Sequence, residues 1–391
     1  MDFTPLEQFM DRLTDWRIPG NSIVIYKGKN KVFEYSSGYA SLETRELMTS
    51  EHMLNVYSCS KLVTVAAALQ LYERGFFLLS DPIYQFIPEF RNMRIAHQSG
   101  HVSWAQHPIN MRQLLTMTSG LDYDMNSAGI QKARELTLGR MDTLTVAKCI
   151  AEEDKLCFEP GEKWMYGKSH EILAAIVEVI SGERFSDYVK HNIFQPLGMT
   201  DACYHNDAVR HRMAEQYSFK NLSERDIVKL QASDNSREGG KIINVGKTMI
   251  HDLGEEYDSG GAGVCASVEE FAKFVAALGR GGLGLTGERI LASGTVDLMR
   301  QNQLSEAQRR SFDWTNVIGY GYGLGVRTMI DKAESGSLGN LLEFGWSGAA
   351  GSSAIIDTDI ELSAFYSHHM LNAQEGYYQP RLRNVIYKCL D

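Results

Sequence analysis

The stretch Val56–Gly75, VYSCSKLVTVAAALQLYERG, combines a pair of reactive residues with a long apolar segment. Its composition predicts a helix from about Ser58 to Arg74, ended by the glycine. Ser58 and Lys61 are three residues apart, so on a helix their side chains lie on one face about one turn apart. A serine hydroxyl becomes an effective nucleophile when a neighbouring base takes its proton. This S-x-x-K pattern predicts a nucleophilic serine, although a helix that starts with a capping serine has the same letters.

Lys61 serves as that base only if its pKa is depressed. Burial lowers the pKa of a lysine, and so does the positive end of a helix dipole, where Lys61 is expected to lie. The same helix start offers the Ser58 N–H to a developing oxyanion.

Strand patterns lie at both ends of the chain. Ser22–Tyr26 and Lys31–Tyr35 predict a hairpin around residues 27–30. The C-terminal part has four further β-rich runs: Tyr322–Met329, Leu341–Phe344, Ser352–Asp357 and Leu362–Ser367. Two hairpin strands alone are barely stable, so the N- and C-terminal strands are expected to share one sheet. Helices are predicted at residues 6–16 and 381–390.

The middle of the chain has mostly helical periodicity. It predicts a mainly helical lobe over residues 76–245, beside an α/β sheet lobe built from residues 1–75 and 246–391. The polar segment Ser223–Lys241 is interpreted as an exposed loop. The fold class is therefore α+β: an antiparallel sheet from both ends of the chain, flanked by helices, with the active site between the sheet lobe and the helical lobe.

The amino-acid composition restricts the possible partners and the expected cellular compartment. The chain has 391 residues, a formal net charge of −10 and 23% charged residues. An acidic balance argues against nucleic-acid or membrane partners, which need a basic footprint. The first 16 residues lack the basic and apolar regions of a secretory signal. Six scattered cysteines without metal-ligand spacing are typical of free thiols in a reducing cytoplasm. We expect a cytoplasmic enzyme with no metal and no cofactor.

Two further segments carry candidate site residues. Tyr166 lies in a turn-rich segment just before an apolar helix, and a nearby positive charge would favour its phenolate. Residues 344–351, FGWSGAAG, precede a predicted strand. Small residues let a backbone approach a ligand closely, so the Ala349 N–H is a candidate second oxyanion donor. Taken alone, a packed tyrosine and a glycine-rich strand corner explain these segments equally well.

In order, these motifs resemble those of the serine β-lactamase and penicillin-binding-protein superfamily, most closely the class C β-lactamase-related serine hydrolases and their family VIII carboxylesterases. Supporting landmarks span nearly the whole chain. They are Ser58-x-x-Lys61, Gln113–Leu121, Pro160-Gly161 with Tyr166, Pro196–Met199, Gly260–Val264 and Gly345-Trp346-Ser347-Gly348. Within Gln113–Leu121, Met117 stands where the family usually has histidine.

The resemblance implies a β-lactamase/transpeptidase-like fold and a role for each motif residue. Ser58 is the implied acyl-accepting nucleophile, and Lys61 and Tyr166 share the acid–base work. The Ser58 and Ala349 N–H groups are the implied oxyanion hole. Trp346, Ser347 and Gly348 occupy the substrate-binding position where lactamases carry Lys-Thr-Gly.

Two departures from the family pattern change the expected substrate. Trp346 replaces a lysine that pairs with a β-lactam or peptide carboxylate. Tyr166-Gly167-Lys168 replaces Tyr-x-Asn and so removes an amide that holds a substrate carbonyl. Lys168 either restores a positive charge to the substrate site or points to solvent. Both departures resemble the β-lactamase-fold carboxylesterases and the lovastatin-type acyltransferases.

The sequence leaves three functions open. The first is a serine carboxylesterase for small or lipophilic acyl esters, with possible acyl transfer. The second is a β-lactamase, D-alanyl-D-alanine carboxypeptidase or related amide hydrolase. The third is a binding or sensor protein that is acylated without turnover. A small-molecule ester or amide is the expected partner, and the oligomeric state is not predicted.

Two other patterns are interpreted as incidental. Ser233-Asp234-Asn235 spells a class A lactamase motif but lies in the charged loop. His368-His369 has no third ligand at metal spacing and is interpreted as a surface or pocket histidine pair.

Overall fold

The computed structural model describes residues 1–15, 18–220, 241–373 and 375–390. The α-helices of these residues are Thr4–Asp15, Ser60–Glu73, Met111–Leu115, Ala128–Leu136, Thr143–Glu153, Ser169–Ser181, Phe185–Val189, Val268–Gly279, Ser293–Arg300, Glu306–Arg309, Lys332–Ser335 and Glu375–Cys389. The strands are β1 Gly20–Lys27, β2 Asn30–Ser41, β3 Glu46–Leu47, β4 Met53–Asn55, β5 Arg94–Ala96, β6 Val102–Trp104, β7 Gln216–Lys220, β8 Lys241–Gly246, β9 Cys265–Ser267, β10 Tyr320–Tyr322, β11 Arg327–Met329, β12 Phe344–Gly345, β13 Ser353–Asp357, β14 Leu362–His368 and β15 Met370–Leu371.

An eight-stranded antiparallel sheet joins the two ends of the chain, as predicted. Its strand order is β10-β11-β12-β13-β14-β1-β2-β3. The junction is the β1–β14 pair, in which Val24 lies opposite Phe365. The expected α+β fold with a shared antiparallel sheet is confirmed.

Helices cover both faces of this sheet. The helix Val268–Gly279 packs on β1 and β14. The terminal helices Thr4–Asp15 and Glu375–Cys389 pack on each other and share a second apolar cluster with Ile23 and Tyr366. Burial of such apolar faces is the main stabilising contribution to a fold of this kind. β1 and β14 are buried along nearly their whole length, which explains their continuous apolar and small-residue composition.

The helix that follows the nucleophile motif lies in the centre of the molecule. Every residue from Ser60 to Leu71 is buried. A helix that is apolar on all sides needs packing on all sides, and the helix Ser169–Ser181 supplies part of it. The central position fixes the start of the helix, where Ser58 lies.

Several sequence-based predictions need correction. Tyr322–Met329 is a hairpin of β10 and β11, since residues 323–326 turn the chain and Gly325 has φ +73°. The segment 76–245, predicted to be mainly helical, also contains strands, because β5 and β6 form a hairpin within it and β7 pairs with β8. The loop predicted at Ser223–Lys241 lies outside the described residues except for Lys241, which begins β8. The division into two lobes at residues 75 and 245 stays a prediction.

Candidate active site

A tight turn presents Ser58 at the start of the central helix. β4 pairs with β9, and the chain then enters a single 3-10 turn at Tyr57–Cys59 before the α-helix begins at Ser60. Tyr57 has a φ of +46°, a conformation that costs a non-glycine residue free energy and concentrates at functional sites. The strained turn leaves Ser58 partly exposed while its neighbours are buried.

The side chains of Ser58, Lys61 and Tyr166 meet, as the motif pattern predicts. Tyr166 donates a hydrogen bond from its hydroxyl to Ser58 Oγ at 2.6 Å. Lys61 Nζ donates to the same oxygen at 3.3 Å. Lys61 Nζ also lies 4.6 Å from the centre of the Tyr166 ring. One serine oxygen therefore contacts both a phenol and an ammonium group.

Lys61 is completely buried, yet its hydrogen-bonding pattern is that of a cation. Besides Ser58 Oγ, its Nζ reaches the Gly261 carbonyl at 2.8 Å and the Tyr123 hydroxyl at 3.4 Å. An ammonium group has three donors, and here three oxygens accept them. Burial by itself lowers the pKa of Lys61, but the oxygens of Tyr123 and Tyr166 and the Glu171 carboxylate outweigh it, so the pKa is raised. This direction is opposite to the depressed pKa that Lys61 would need to act as the general base.

Tyr166 is positioned by backbone hydrogen bonds to the segment around Gly120 and by stacking with neighbouring aromatic rings. The preceding residue, Met165, donates a backbone hydrogen bond from its N–H to the Met117 carbonyl of that segment at 2.9 Å. The Tyr166 ring stacks on Tyr123 with centroids 5.2 Å apart. Trp346 Nε1 lies 3.4 Å from the Tyr166 hydroxyl. These contacts aim the phenol at Ser58.

Two backbone N–H groups next to Ser58 Oγ are available to a ligand. In the described part of the chain, neither the Ser58 N–H nor the Ala349 N–H donates a hydrogen bond. The turn that carries Ala349 lies against Ser58, because Ser352 Oγ donates to the Val56 carbonyl at 2.6 Å. A Cβ on Gly348 would lie 2.3 Å from that carbonyl oxygen and 3.2 Å from Ser58 N, so only glycine permits this approach.

The predicted substrate-binding residues divide into two groups. Trp346 stacks on Tyr166 with ring centroids 5.7 Å apart, Gly348 lies against the Ser58 backbone, and Ser347 pairs with Ser353. Lys168 does not supply a cation to the site: its side chain is 1% exposed, and its Nζ pairs with Asp154 at 2.6 Å and Asp122 at 3.0 Å. Its charge is neutralised inside the protein, so it neither faces solvent nor meets a substrate carboxylate.

Three contributors to the site were missed by the sequence reading: Tyr123, Gly261 and Glu171. Tyr123 follows the Gly120-Leu121 landmark, and Gly261 lies in another landmark, but neither pattern specifies a contact with Lys61. Glu171 is the acidic residue in the first turn of the helix Ser169–Ser181. An acidic side chain at that place normally indicates only a favourable interaction with the helix dipole.

The remaining patterns are structural or untested. His368 and His369 are buried, which corrects the prediction of a surface or pocket pair, and their ring nitrogens contact Tyr366, Tyr378 and backbone groups. Ser233-Asp234-Asn235 lies outside the described residues. Within residues 1–15, 18–220, 241–373 and 375–390, no group of three His, Cys, Asp or Glu side chains is arranged to hold a metal.

The fold and the cluster around Ser58 define a serine hydrolase of the β-lactamase/transpeptidase type. The family model described as beta-lactamase matches residues 6–386. The chain therefore belongs to the β-lactamase family.

One relative and two solved structures show which kinds of protein the chain is similar to. Esterase EstB of Burkholderia gladioli is 26% identical over 393 residues, covering 97% of this chain and 93% of that protein. The simvastatin synthase LovD of Aspergillus terreus superposes with a TM-score of 0.77 at 20% identity, covering 98% of each chain. EstCE1, a hydrolase with promiscuous acyltransferase activity, gives a TM-score of 0.76 at 22% identity and covers 98% of this chain and 97% of that chain. At such identities the two structures establish the fold alone.

Proposed function

We propose that the protein is a serine carboxylesterase that acts on small or lipophilic acyl esters through an acyl-Ser58 intermediate and that also transfers the acyl group to alcohols. The observation that carries the proposal is the 2.6 Å contact between the Tyr166 hydroxyl and Ser58 Oγ, with Lys61 Nζ on the same oxygen. Relatives called esterase EstB and lovastatin esterase support the ester class.

Acylation begins with the transfer of the Ser58 hydroxyl proton to Tyr166. The step needs the Tyr166 oxygen as proton acceptor, so Ser58 is the donor across their 2.6 Å contact, and the Lys61 ammonium stabilises negative charge on that oxygen. Ser58 Oγ attacks the ester carbonyl carbon and forms a new C–O bond. When the tetrahedral intermediate collapses, the bond to the leaving alkoxide breaks, and Tyr166 returns the proton to that oxygen. The products are the alcohol and acyl-Ser58.

Deacylation repeats these steps with water or an alcohol as the nucleophile. Tyr166 accepts the proton of the incoming hydroxyl, the acyl–Oγ bond breaks, and the proton passes to Ser58 Oγ. Lys61 keeps its proton throughout, because all three of its hydrogens have acceptors. Its roles are to hold Oγ in place and to stabilise negative charge on Tyr166.

The Ser58 and Ala349 N–H groups stabilise the negative oxygen of each tetrahedral intermediate. Preorganised backbone donors of this type typically contribute about 10²–10³-fold to the rate. Neither N–H has another acceptor among the described residues, and Gly348, next to Ala349 in the chain, lies against the Ser58 backbone, which supports this assignment.

The surroundings of Ser58 favour an uncharged, apolar substrate. Aromatic rings pack around Tyr166, with neighbouring centroids between 4.7 and 6.3 Å, and Tyr166 and Trp314 are the exposed or partly exposed ones. The rings belong to Trp164, Tyr166, Phe312, Trp314, Tyr322 and Trp346. Trp346 stands where a lactamase carries a lysine, and Lys168 is committed to Asp154. A substrate carboxylate would find neither of these cations, whereas an acyl chain would gain apolar contact.

We further propose that the enzyme acts in the cytoplasm. All six cysteines are free, as is typical of a reducing compartment. No helix in the described segments is long and apolar enough to cross a membrane.

Initial rates with p-nitrophenyl esters of increasing acyl length, measured beside nitrocefin, test the proposed substrate class. We expect turnover of the esters, little turnover of nitrocefin, and no ester turnover by Ser58→Ala. Nitrocefin turnover comparable to that of the best ester would replace the esterase with a lactamase. A burst of one equivalent without turnover would identify a non-turnover acceptor.

A further inference from the structure

A buried carboxylate lies behind the lysine of the site. Glu171 is 3% exposed and has three hydrogen-bond donors around it. Its Oε1 accepts from Ser259 Oγ at 2.9 Å and from the Gly261 N–H at 3.1 Å. Its Oε2 accepts from the Tyr257 hydroxyl at 2.8 Å. Burial raises the pKa of Glu171, and the Lys61 charge and these three donors oppose that shift. Both oxygens accept and neither donates, which is the pattern of an ionised carboxylate.

Gly261 links this carboxylate to Lys61. Its N–H donates to Glu171, while its carbonyl accepts from Lys61 Nζ at 2.8 Å. A Cβ at this position would lie 2.4 Å from Glu171 Oε1 and 3.1 Å from Lys61 Nζ, so a side chain has no room. Glu171 and Lys61, which carry opposite charges, therefore both hydrogen-bond to the backbone of Gly261.

We propose that Glu171 is a positioning residue for the reaction at Ser58: its carboxylate fixes Gly261 and balances the Lys61 ammonium, so that Nζ keeps its place on Ser58 Oγ. This inference rests on the proposed function. Removing the carboxylate leaves the buried Lys61 ammonium without its carboxylate counter-charge. The Gly261 N–H then loses its charged acceptor, and Lys61 Nζ is free to move away from Ser58 Oγ.

The other described groups that interact with Lys61 are aromatic and imidazole rings and include no second carboxylate. They are Tyr123, Tyr166, His170 and His251. Burial and the Lys61 charge lower the pKa of His170 to about 3 and that of His251 to about 4, so both rings are neutral near pH 7. Tyr123 is buried, and its pKa is raised to about 12. Glu171 is thus the carboxylate that balances Lys61 among the described neighbours.

Glu171→Gln tests the proposal, because it removes the charge and keeps the shape. We expect kcat for a p-nitrophenyl ester to fall at least about tenfold with KM within about twofold. Activity should also begin to fall at a lower pH than in the wild type, since the ammonium is less favoured. Glu171→Asp, which keeps the charge, should recover part of kcat. Glu178→Gln is the matched control: this partly buried carboxylate lies on the same helix and accepts from Phe185 N–H.

The failure of this inference differs from the failure of the proposed function. If the wild type does not hydrolyse esters, or Ser58→Ala still does, the esterase proposal fails. If both behave as expected but Glu171→Gln has the kcat and pH profile of Glu178→Gln, the positioning role is overturned. Should Glu171→Gln not fold, Glu171→Asp keeps the charge but withdraws the carboxylate from the Gly261 N–H. A fully wild-type kcat in Glu171→Asp would overturn the positioning role, and a selective loss of kcat would support it.

Discussion

The Tyr166 hydroxyl lies 2.6 Å from Ser58 Oγ, closer than Lys61 Nζ at 3.3 Å. The shorter contact joins the two groups between which a proton can pass directly. Lys61 spreads its three hydrogens over Ser58, Tyr123 and Gly261 and keeps them. The geometry therefore favours different roles for the two residues: Tyr166 transfers the proton, and the Lys61 ammonium stabilises negative charge.

Tyr166→Phe removes the proton carrier and leaves the ring stack intact. We expect kcat to fall about 10²–10⁴-fold, which is the usual contribution of general acid–base catalysis. The melting temperature should change little, because the Tyr123 and Trp346 rings keep their packing partner. Steady-state kinetics and thermal unfolding measure both quantities. Retention of more than a tenth of kcat would mean that another group carries the proton.

A substitution at Trp314 tests whether the acyl chain of the substrate binds at the aromatic rings beside Tyr166. Trp314 is 40% exposed at the rim, and its ring lies 5.3 Å from the Tyr166 ring. Trp314→Ala should raise KM for long-chain p-nitrophenyl esters about tenfold, since the loss of one apolar contact of this size costs about 1.5 kcal/mol. The acetate ester should be almost unaffected. Trp104→Ala, at a 66% exposed position in β6, is the control. Equal effects on short and long esters would place the acyl chain elsewhere.

Lys168→Met separates a structural ion pair from a substrate-binding cation. The Lys168–Asp154 pair is almost completely buried. Removing one partner of such a pair typically costs about 3–5 kcal/mol of the free energy of unfolding. We expect that loss in urea denaturation, whereas Lys163→Met, at an exposed lysine nearby, should be neutral. Unchanged stability with a raised KM would instead show that Lys168 binds substrate.

Buried histidines predict acid sensitivity. Burial and the Lys61 charge lower the pKa of His170 to about 3, against a smaller opposing contribution from the Leu115 backbone. An unfolded histidine binds a proton near pH 6.5. Between about pH 6.5 and 3 the unfolded chain therefore binds more protons at this position, so the free energy of unfolding falls as the pH falls. His170→Leu should remove about 1.4 kcal/mol per pH unit from that slope.

Urea denaturation of both proteins at pH 7 and pH 5 measures this difference. The wild type should lose more stability than His170→Leu over that interval. Identical losses in the two proteins would contradict a neutral, buried His170.

The sequence was sufficient for the elements that have local signatures. The S-x-x-K spacing, the turn before Tyr166 and the glycines around Ala349 each describe a short segment, and their order along the chain indicated the family. The shared sheet followed from the instability of an isolated hairpin. These inferences depend on residues that are close in sequence or on a known order of motifs.

Contacts between distant segments could not be inferred in this way. Lys61 meets Gly261 across 200 positions, and nothing in either segment specifies that contact. The sign of the Lys61 pKa shift depends on other distant residues, Tyr123, Tyr166 and Glu171, because burial alone would lower the pKa. Lys168 was misread for a similar reason: a lysine beside Tyr166 suggests a substrate cation until Asp154 is placed next to it.

The most direct test of the account is the mass of the protein during turnover. The enzyme is mixed with a p-nitrophenyl ester, quenched in acid within the burst phase, and its intact mass and peptides are measured. The account predicts one added acyl group on the peptide that contains Ser58, and none on Ser58→Ala. An acyl group on another residue, or undiminished turnover by Ser58→Ala, would contradict it.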